Sequence, residues 1–394
     1  MRSSPYASEI RLLFLAAMGV FVVTVAIGIL NGLDLVDFDS NTLLTHVHAG
    51  TLGWITLSAI ATSFWLFGEG GSRPAAGERT LAWLAAVGIP VFVIAFFTGN
   101  LVARAVFALP VMLAIVWFLA WLWRAAGAAH WTTPRLAVVA AVITLIVGGT
   151  IGTLISIQLA TGSSFLPGGA VEGHVVAMAF SYLILFGMAV AEWQLLPPAA
   201  MSRAGAVQVS TIFLAGMMLT VGAIWSITPL LFGQLLFELI GAGIFIWRLG
   251  PAMLGAPWLR AGPARQFAVS AVFVAIDVAL LLYAVYLFGS AADPDTFSIP
   301  PWTIFALDHA VFVGVMTNMT FGLLLLATAE SEREDWLAHV TFWGMNVGLV
   351  GFFFGLFLDQ VVLKRIFSPI MGVSILIALA VFAQRLWVAR ESTA

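Results

Sequence analysis

The chain has no cysteine. That excludes disulfides, a thiolate-held metal and a thiol nucleophile. Charge is nearly as scarce: 9% of the 394 residues are Asp, Glu, Lys or Arg, where a soluble domain carries roughly 25%. The net charge is −3, so there is no basic excess of the kind nucleic acid selects, and no nucleic-acid partner is expected. Histidine is thin as well, with six in the chain. With cysteine gone, their placement is the main chemical information, and histidine, carboxylate and methionine are the remaining metal or cofactor ligands.

What the sequence has is hydrophobic residues, 62% of the total. A spanning helix needs about 20 predominantly apolar residues. Twelve segments meet this, centred on 9–30, 43–67, 80–100, 102–124, 135–160, 171–195, 205–227, 229–248, 266–289, 302–327, 337–358 and 367–389. The third and fourth are separated by little more than "TGNLVAR". No linker or low-complexity run interrupts the series. The expectation is therefore an all-α integral membrane protein of twelve transmembrane helices, with residues 1–394 forming a single bundle in a lipid bilayer. The first segment is too long for a signal-peptide core and lacks a small-residue cleavage pattern after it, so it is read as retained.

Cytoplasmic loops hold the excess of Lys and Arg. With the N-terminus inside, all but three of the sixteen basic residues face the cytoplasm; the exceptions are Arg104, Lys364 and Arg365. Both termini are thus expected to be cytoplasmic, with the protein in the cell inner membrane. In that topology His46 and His48 open helix 2, His174 opens helix 6, and His309 lies about two turns into helix 10. All four fall in the outer part of the membrane, while His130 and His339 lie on the cytoplasmic side.

A weak internal repeat supports this grouping. Setting "HVHAGTLGWITLS" against "EGHVVAMAFSYLI" aligns His48 with His174, and "DHAVFVGVMTNMTFG" puts His309 at the head of a similar pattern. Histidines four helices apart suggest three four-helix repeats about a pseudo-threefold axis. A lone histidine at a helix mouth is usually an interfacial residue; four at one depth point to a shared site. Residues i and i+2 of a helix point about 200° apart, so His46 and His48 are not both ligands of one centre unless the helix starts between them, and the repeat favours His48.

Twelve helices with histidines near the outer ends of helices 2, 6 and 10 resemble subunit I of the haem-copper oxidase and nitric oxide reductase superfamily. The runs "HVHAGTLGWITLSAIATSFWLFG" and "GHVVAMAFSYLILFGMAVAEWQLLP" are especially similar to its short members. The resemblance implies that His48 (or His46) and His309 are axial ligands of a low-spin haem b, and that His174 binds an active-site metal, with copper the metal of that family. It further implies that Lys364 and Arg365, in the loop before helix 12, hold haem propionates; Arg104, the third outer cation, joins them as a cofactor-binding candidate. The partners it implies are an electron-donor protein or quinol and a small gas, NO or O2. A c-type haem is excluded, since its attachment needs cysteine.

The chain departs from that family in two places. Helix 7, "AVQVSTIFLAGMMLTVGAIWSI", has no histidine pair, and Leu307 and Val311 flank His309 where a second helix 10 histidine would stand. The ligands of a second haem and of a full copper site are missing, so about one haem and no reduction of oxygen to water are expected. A second resemblance is to the NnrS family of haem- and copper-containing membrane proteins linked to nitric oxide stress, although Thr45 and Ala49 replace the residues that flank its H-x-H pair. A third reading, a metal carrier or permease with a transition metal on its histidines, needs no haem. Glu238 and Asp277 fall near mid-membrane, where an ionised carboxylate costs several kcal/mol; they read as protonated acids, with a proton path as the alternative. Met316, Asn318 and Met319 read as packing or as part of a cofactor pocket.

Overall fold

The computed structural model describes residues 4–68, 76–128, 130–290, 299–328 and 336–391. In a bilayer each backbone N–H and C=O must be satisfied within its own segment, which long apolar runs achieve as helices. Twelve helices are long and apolar enough to cross: spans 1 to 12 are Ala7–Gly32, Ser40–Gly68, Ala76–Phe97, Leu101–Gly127, Thr133–Thr161, Ala170–Leu195, Arg203–Trp225, Thr228–Leu254, Pro263–Gly289, Pro301–Thr328, Ala338–Phe357 and Val361–Val388. No strand occurs among the described residues.

Local chemistry explains where several spans begin and end. Asp39 caps span 2, accepting from the Thr42 N–H at 2.8 Å, and hydrogen bonding from the Thr42 side chain and then from this N–H holds its carboxyl below the usual carboxylate range. Thr132 and Ser202 cap spans 5 and 7 in the same way. Pro134, Pro229, Pro263 and Pro301 stand at or next to the first helical position, where a missing N–H costs nothing. The turn between spans 3 and 4 is only three residues long, and its Gly99 has φ +67°. A Cβ there would lie 2.9 Å from the Asn41 amide, so both backbone angle and space require glycine.

Spans 2, 6 and 10 form the centre. Of their most apolar stretches 94%, 78% and 83% is buried, against 28–56% for the other nine. Each of the three changes from α to π winding about a third of the way along, over Ala49–Thr56, Ala177–Leu183 and Ala310–Thr317. The π segment of span 10 packs against both others. Thr56 and Thr317 donate from Oγ1 to carbonyls five residues back, at 2.9 and 2.8 Å, bonds that fit the wider π turn. At this level Trp54 is fully buried. It stacks on Phe21 with centroids 4.6 Å apart and donates from Nε1 to Thr317 Oγ1 at 3.0 Å, joining spans 1, 2 and 10.

The opposite end of the bundle is tied by Glu192 of span 6. Its carboxylate accepts two bonds from Arg248 of span 8, at 2.8 and 2.5 Å, and Arg248 also donates to Gln208 of span 7. Glu192 and Arg248 are both largely buried, and removing one member of a buried pair strands the other charge at a cost of about 3–5 kcal/mol. Glu192→Ala is expected to lower the thermal midpoint of the detergent-solubilised protein sharply. A midpoint equal to that of the unaltered chain would show that the pair does not hold these spans together.

Two segment ends differ from the sequence expectation. Span 12 begins six residues early, so Lys364 and Arg365 lie in its first two turns and not in a loop. Span 8 runs on to Leu254, because Pro251 lies inside the helix without ending it.

Candidate functional site

The four histidines at the start of spans 2, 6 and 10 form two pairs. A cavity of about 600 Å³ lies between spans 1, 2, 10, 11 and 12, and both His46 and His309 line it. That is ample for a cofactor-sized ligand. The two rings are near enough to interact electrostatically. His48 does not line the cavity, nor do His174, Arg104 or Arg365. His48 stacks on Phe96 of span 3, centroids 3.8 Å apart, and interacts electrostatically with His174 and Arg104.

Each imidazole is held at Nδ1 by a backbone carbonyl. A carbonyl only accepts, so Nδ1 carries the hydrogen and the Nε2 lone pair is left for a ligand. His46 donates to Thr24 O on span 1 at 2.8 Å, and Thr24 Oγ1 donates back to His46 O at 3.3 Å. His174 donates to Gly148 O on span 5 at 2.8 Å. His48 and His309 instead donate to the carbonyl four residues earlier in their own helices, Leu44 O and Phe305 O, each at 2.8 Å. Each pair therefore joins a histidine held by a neighbouring span to one held by its own helix.

This register replaces the alignment of His48 with His174. Counted back from the π segments, His46 and His174 both stand three residues before the start, whereas His48 and His309 stand one residue before it. His46 and His48 lie on different sides of span 2, His46 against span 1 and the cavity and His48 against Phe96 of span 3.

Small, aromatic and charged residues line the cavity, the charged ones being Asp34, Asp308, Asp359 and Lys364. Gly28, Gly32, Gly50 and Gly372 line it. A Cβ on Gly28 would reach within 3.1 Å of His46 Cε1, and one on Gly372 would lie 2.4 Å from Ile29. Phe21, Trp54, Phe305, Phe312 and Phe352 supply apolar walls, and Asp308 stands among them. Lys364 lines the mouth. Its Nζ is 3.6 Å from the carboxylate of Asp359, which is 92% exposed. An exposed pair of this kind is worth about 0–1 kcal/mol and yields readily to a ligand carboxylate. Arg365 does not line the cavity but pairs at 3.0 Å with Asp34, which does.

Arg104 is 5% exposed and sits where span 3 ends. It donates to Phe96 O at 2.9 Å and to Asn41 Oδ1 at 2.7 Å, with its guanidinium 4.6 Å from the Phe96 ring centre. His339 pairs with the buried Arg265 and does not join the four grouped histidines. Met316, Met319 and Asn318 are buried away from the cavity, Asn318 exchanging amide bonds with Asn346, so they are packing residues. Glu238 and Asp277 are buried and within electrostatic reach of one another; Asp277 Oδ1 has no hydrogen-bond partner among the described residues, and neither does the side chain of nearby Gln234.

Among the described residues no group of three or more His, Cys, Asp or Glu is arranged to hold a metal ion. The sequence reading missed Thr24 and Gly148, which act through their carbonyls, and the glycines that leave room beside the rings. Glycines at 28 and 152, each four residues after its histidine's carbonyl partner, were the available signal. No protein-family model matches the chain, and no curated protein matches it.

Proposed function

We propose that the chain is a haem-binding membrane protein of redox or gas-handling type, related to subunit I of the haem-copper oxidase superfamily and built as three four-span repeats. The observation that carries this reading is the pair His46 and His309, which both line one cavity of about 600 Å³ and each commit Nδ1 to a backbone carbonyl, leaving Nε2 as the ligand atom. These two imidazoles are the axial ligands of a b-type haem. Lys364 meets a propionate by a charge-assisted hydrogen bond, and the aromatic walls keep water from the ring. A haem held this way supplies one-electron chemistry. The positive-inside distribution supports cytoplasmic termini and an inner membrane location, with the histidines toward the outer face. That position suits electron entry from an outer donor protein or from quinol in the bilayer, with NO or O2 as the small gas that the resemblance implies.

Because the histidines occur in pairs and not as a group of three, the arrangement favours haem over the multi-histidine copper centre of an oxygen reductase. The carrier reading, copper or zinc on imidazoles alone, predicts a protein with no Soret band. Pyridine haemochrome analysis of the purified full chain separates them: a b-type spectrum is expected, and its absence after expression in haem-replete cells would end the haem reading.

Lys364→Gln is expected to lower the midpoint potential of this haem, since losing a nearby positive charge favours the more positive oxidised iron. The shift should be up to about 59 mV, a tenfold change in a one-electron equilibrium. Arg365→Gln should shift it less, because Asp34 already neutralises that guanidinium. Potentiometric titration giving equal shifts for both would remove Lys364 from the site.

A further inference from the structure

If spans 1–4, 5–8 and 9–12 are equivalent, the interface between spans 1–2 and spans 10–12 that holds the cavity has two counterparts, one between spans 5–6 and spans 2–4 and one between spans 9–10 and spans 6–8. The residues at matched positions can be read directly. In the first site the histidine three residues before the π segment is His46, its partner one residue before is His309, and the fourth residue of the fourth helix is Lys364. In the second these positions hold His174, His48 and Arg104. In the third they hold Leu307, Val176 and Leu231, all apolar. Two interfaces thus carry the full set of two imidazoles and a cation, and the third carries none of it.

Contacts agree with the matched register. His174 and His48 interact electrostatically, as do His46 and His309. His174 takes its carbonyl from span 5 as His46 does from span 1, and Gly152 lies under the His174 ring as Gly28 lies under His46; a Cβ on Gly152 would be 2.7 Å from Cε1. Phe96 of span 3 packs on His48 as Phe352 of span 11 packs on His309. Arg104 interacts with His48, and its Nη1 makes none of the three hydrogen bonds seen for this side chain. Both rings are half-buried, and both Nε2 lone pairs are free for a ligand because Nδ1 is the donor.

We infer that His48 and His174 are the axial ligands of a second haem, with Arg104 as the cation for its propionates. This rests on the haem reading of the first cavity. It also accounts for H-x-H in span 2: the two histidines serve two different groups, one on each side of the helix. Arg104 and Lys364, two of the three basic residues on the histidine side, then have the same task at equivalent places.

The test is haem stoichiometry of the purified full chain, with redox titration. Two b-type haems per chain and two one-electron waves are expected. His174→Ala and His309→Ala should each leave one haem, with a different wave lost in each, so that the remaining haem reports folding in each variant. His174→Met, which keeps a ligand, should retain both haems and raise the potential of one wave only, as methionine ligation does. Arg104→Gln should lower that same wave. One haem per chain, unaffected by His174→Ala, would overturn the second site and leave the first standing. So would copper lost in His174→Ala with haem content unchanged. No haem at all would overturn both.

Discussion

Replacing His46 by alanine is expected to abolish the haem spectrum of the cavity between spans 1, 2, 10, 11 and 12, whereas replacing His48 leaves that spectrum in place. His46 and His309 both line that cavity, and His48 does not. The loss should be near complete, because the remaining imidazole would face open space while the apolar walls gain nothing in exchange for an axial bond. His46→Ala removes only a half-buried ring, so the bundle should survive. Equal size-exclusion profiles for the two variants would establish that. The measurement is absorbance of the reduced protein, followed through its redox titration. If His48→Ala abolished the wave that Lys364→Gln shifts, while His46→Ala left it intact, the assignment of the pair would be wrong.

The reduced, unaltered protein is expected to resist carbon monoxide and to consume no oxygen at the rate of a terminal oxidase. Each histidine has its Nδ1 anchored by a carbonyl at 2.8 Å, which would keep the ring oriented toward the iron of the proposed haem. An iron with two such ligands has no open position for a gas in the reduced state. Reduction of oxygen to water needs a haem with an open position beside a copper held by several histidines, and no group of three or more ligating residues is found among the described residues. Absorbance on mixing with carbon monoxide, together with oxygen-electrode traces in the absence of any partner subunit, checks both points. An immediate, stoichiometric carbon monoxide complex would mean that one of the four imidazoles does not bind iron. Cyanide-sensitive oxygen uptake by the chain alone would overturn the reading outright.

Much of the architecture was legible in the amino-acid sequence by itself. Twelve apolar runs determine twelve helices, because in lipid a backbone has few other ways to satisfy its own hydrogen bonds. The absence of cysteine and the scarcity of charge left histidine as the informative side chain, and its recurrence on spans 2, 6 and 10 marked the three central helices. The oddity of Arg104 and Lys364 was also plain, since a basic residue against the prevailing charge distribution needs a reason. The helix ends were less exact: Lys364 and Arg365 belong to span 12, because long cationic side chains at a helix mouth can reach the surface while the backbone winds on.

Which histidine meets which was decided only by the tertiary structure. Facing direction depends on the winding of the helix, and spans 2, 6 and 10 change to π winding just past their histidines, where bonds such as Thr56 to Thr51 and Thr317 to Phe312 redirect the chain. A period of 3.6 read along the sequence says that His46 and His48 diverge, but not toward what. The partners come from spans far away in the chain: span 1 holds His46 through Thr24, span 10 brings His309, and span 5 holds His174 through Gly148. Carbonyl anchors and glycine cradles leave no side-chain signature, so a sequence motif could not announce them; packing alone turns four scattered histidines into two facing pairs.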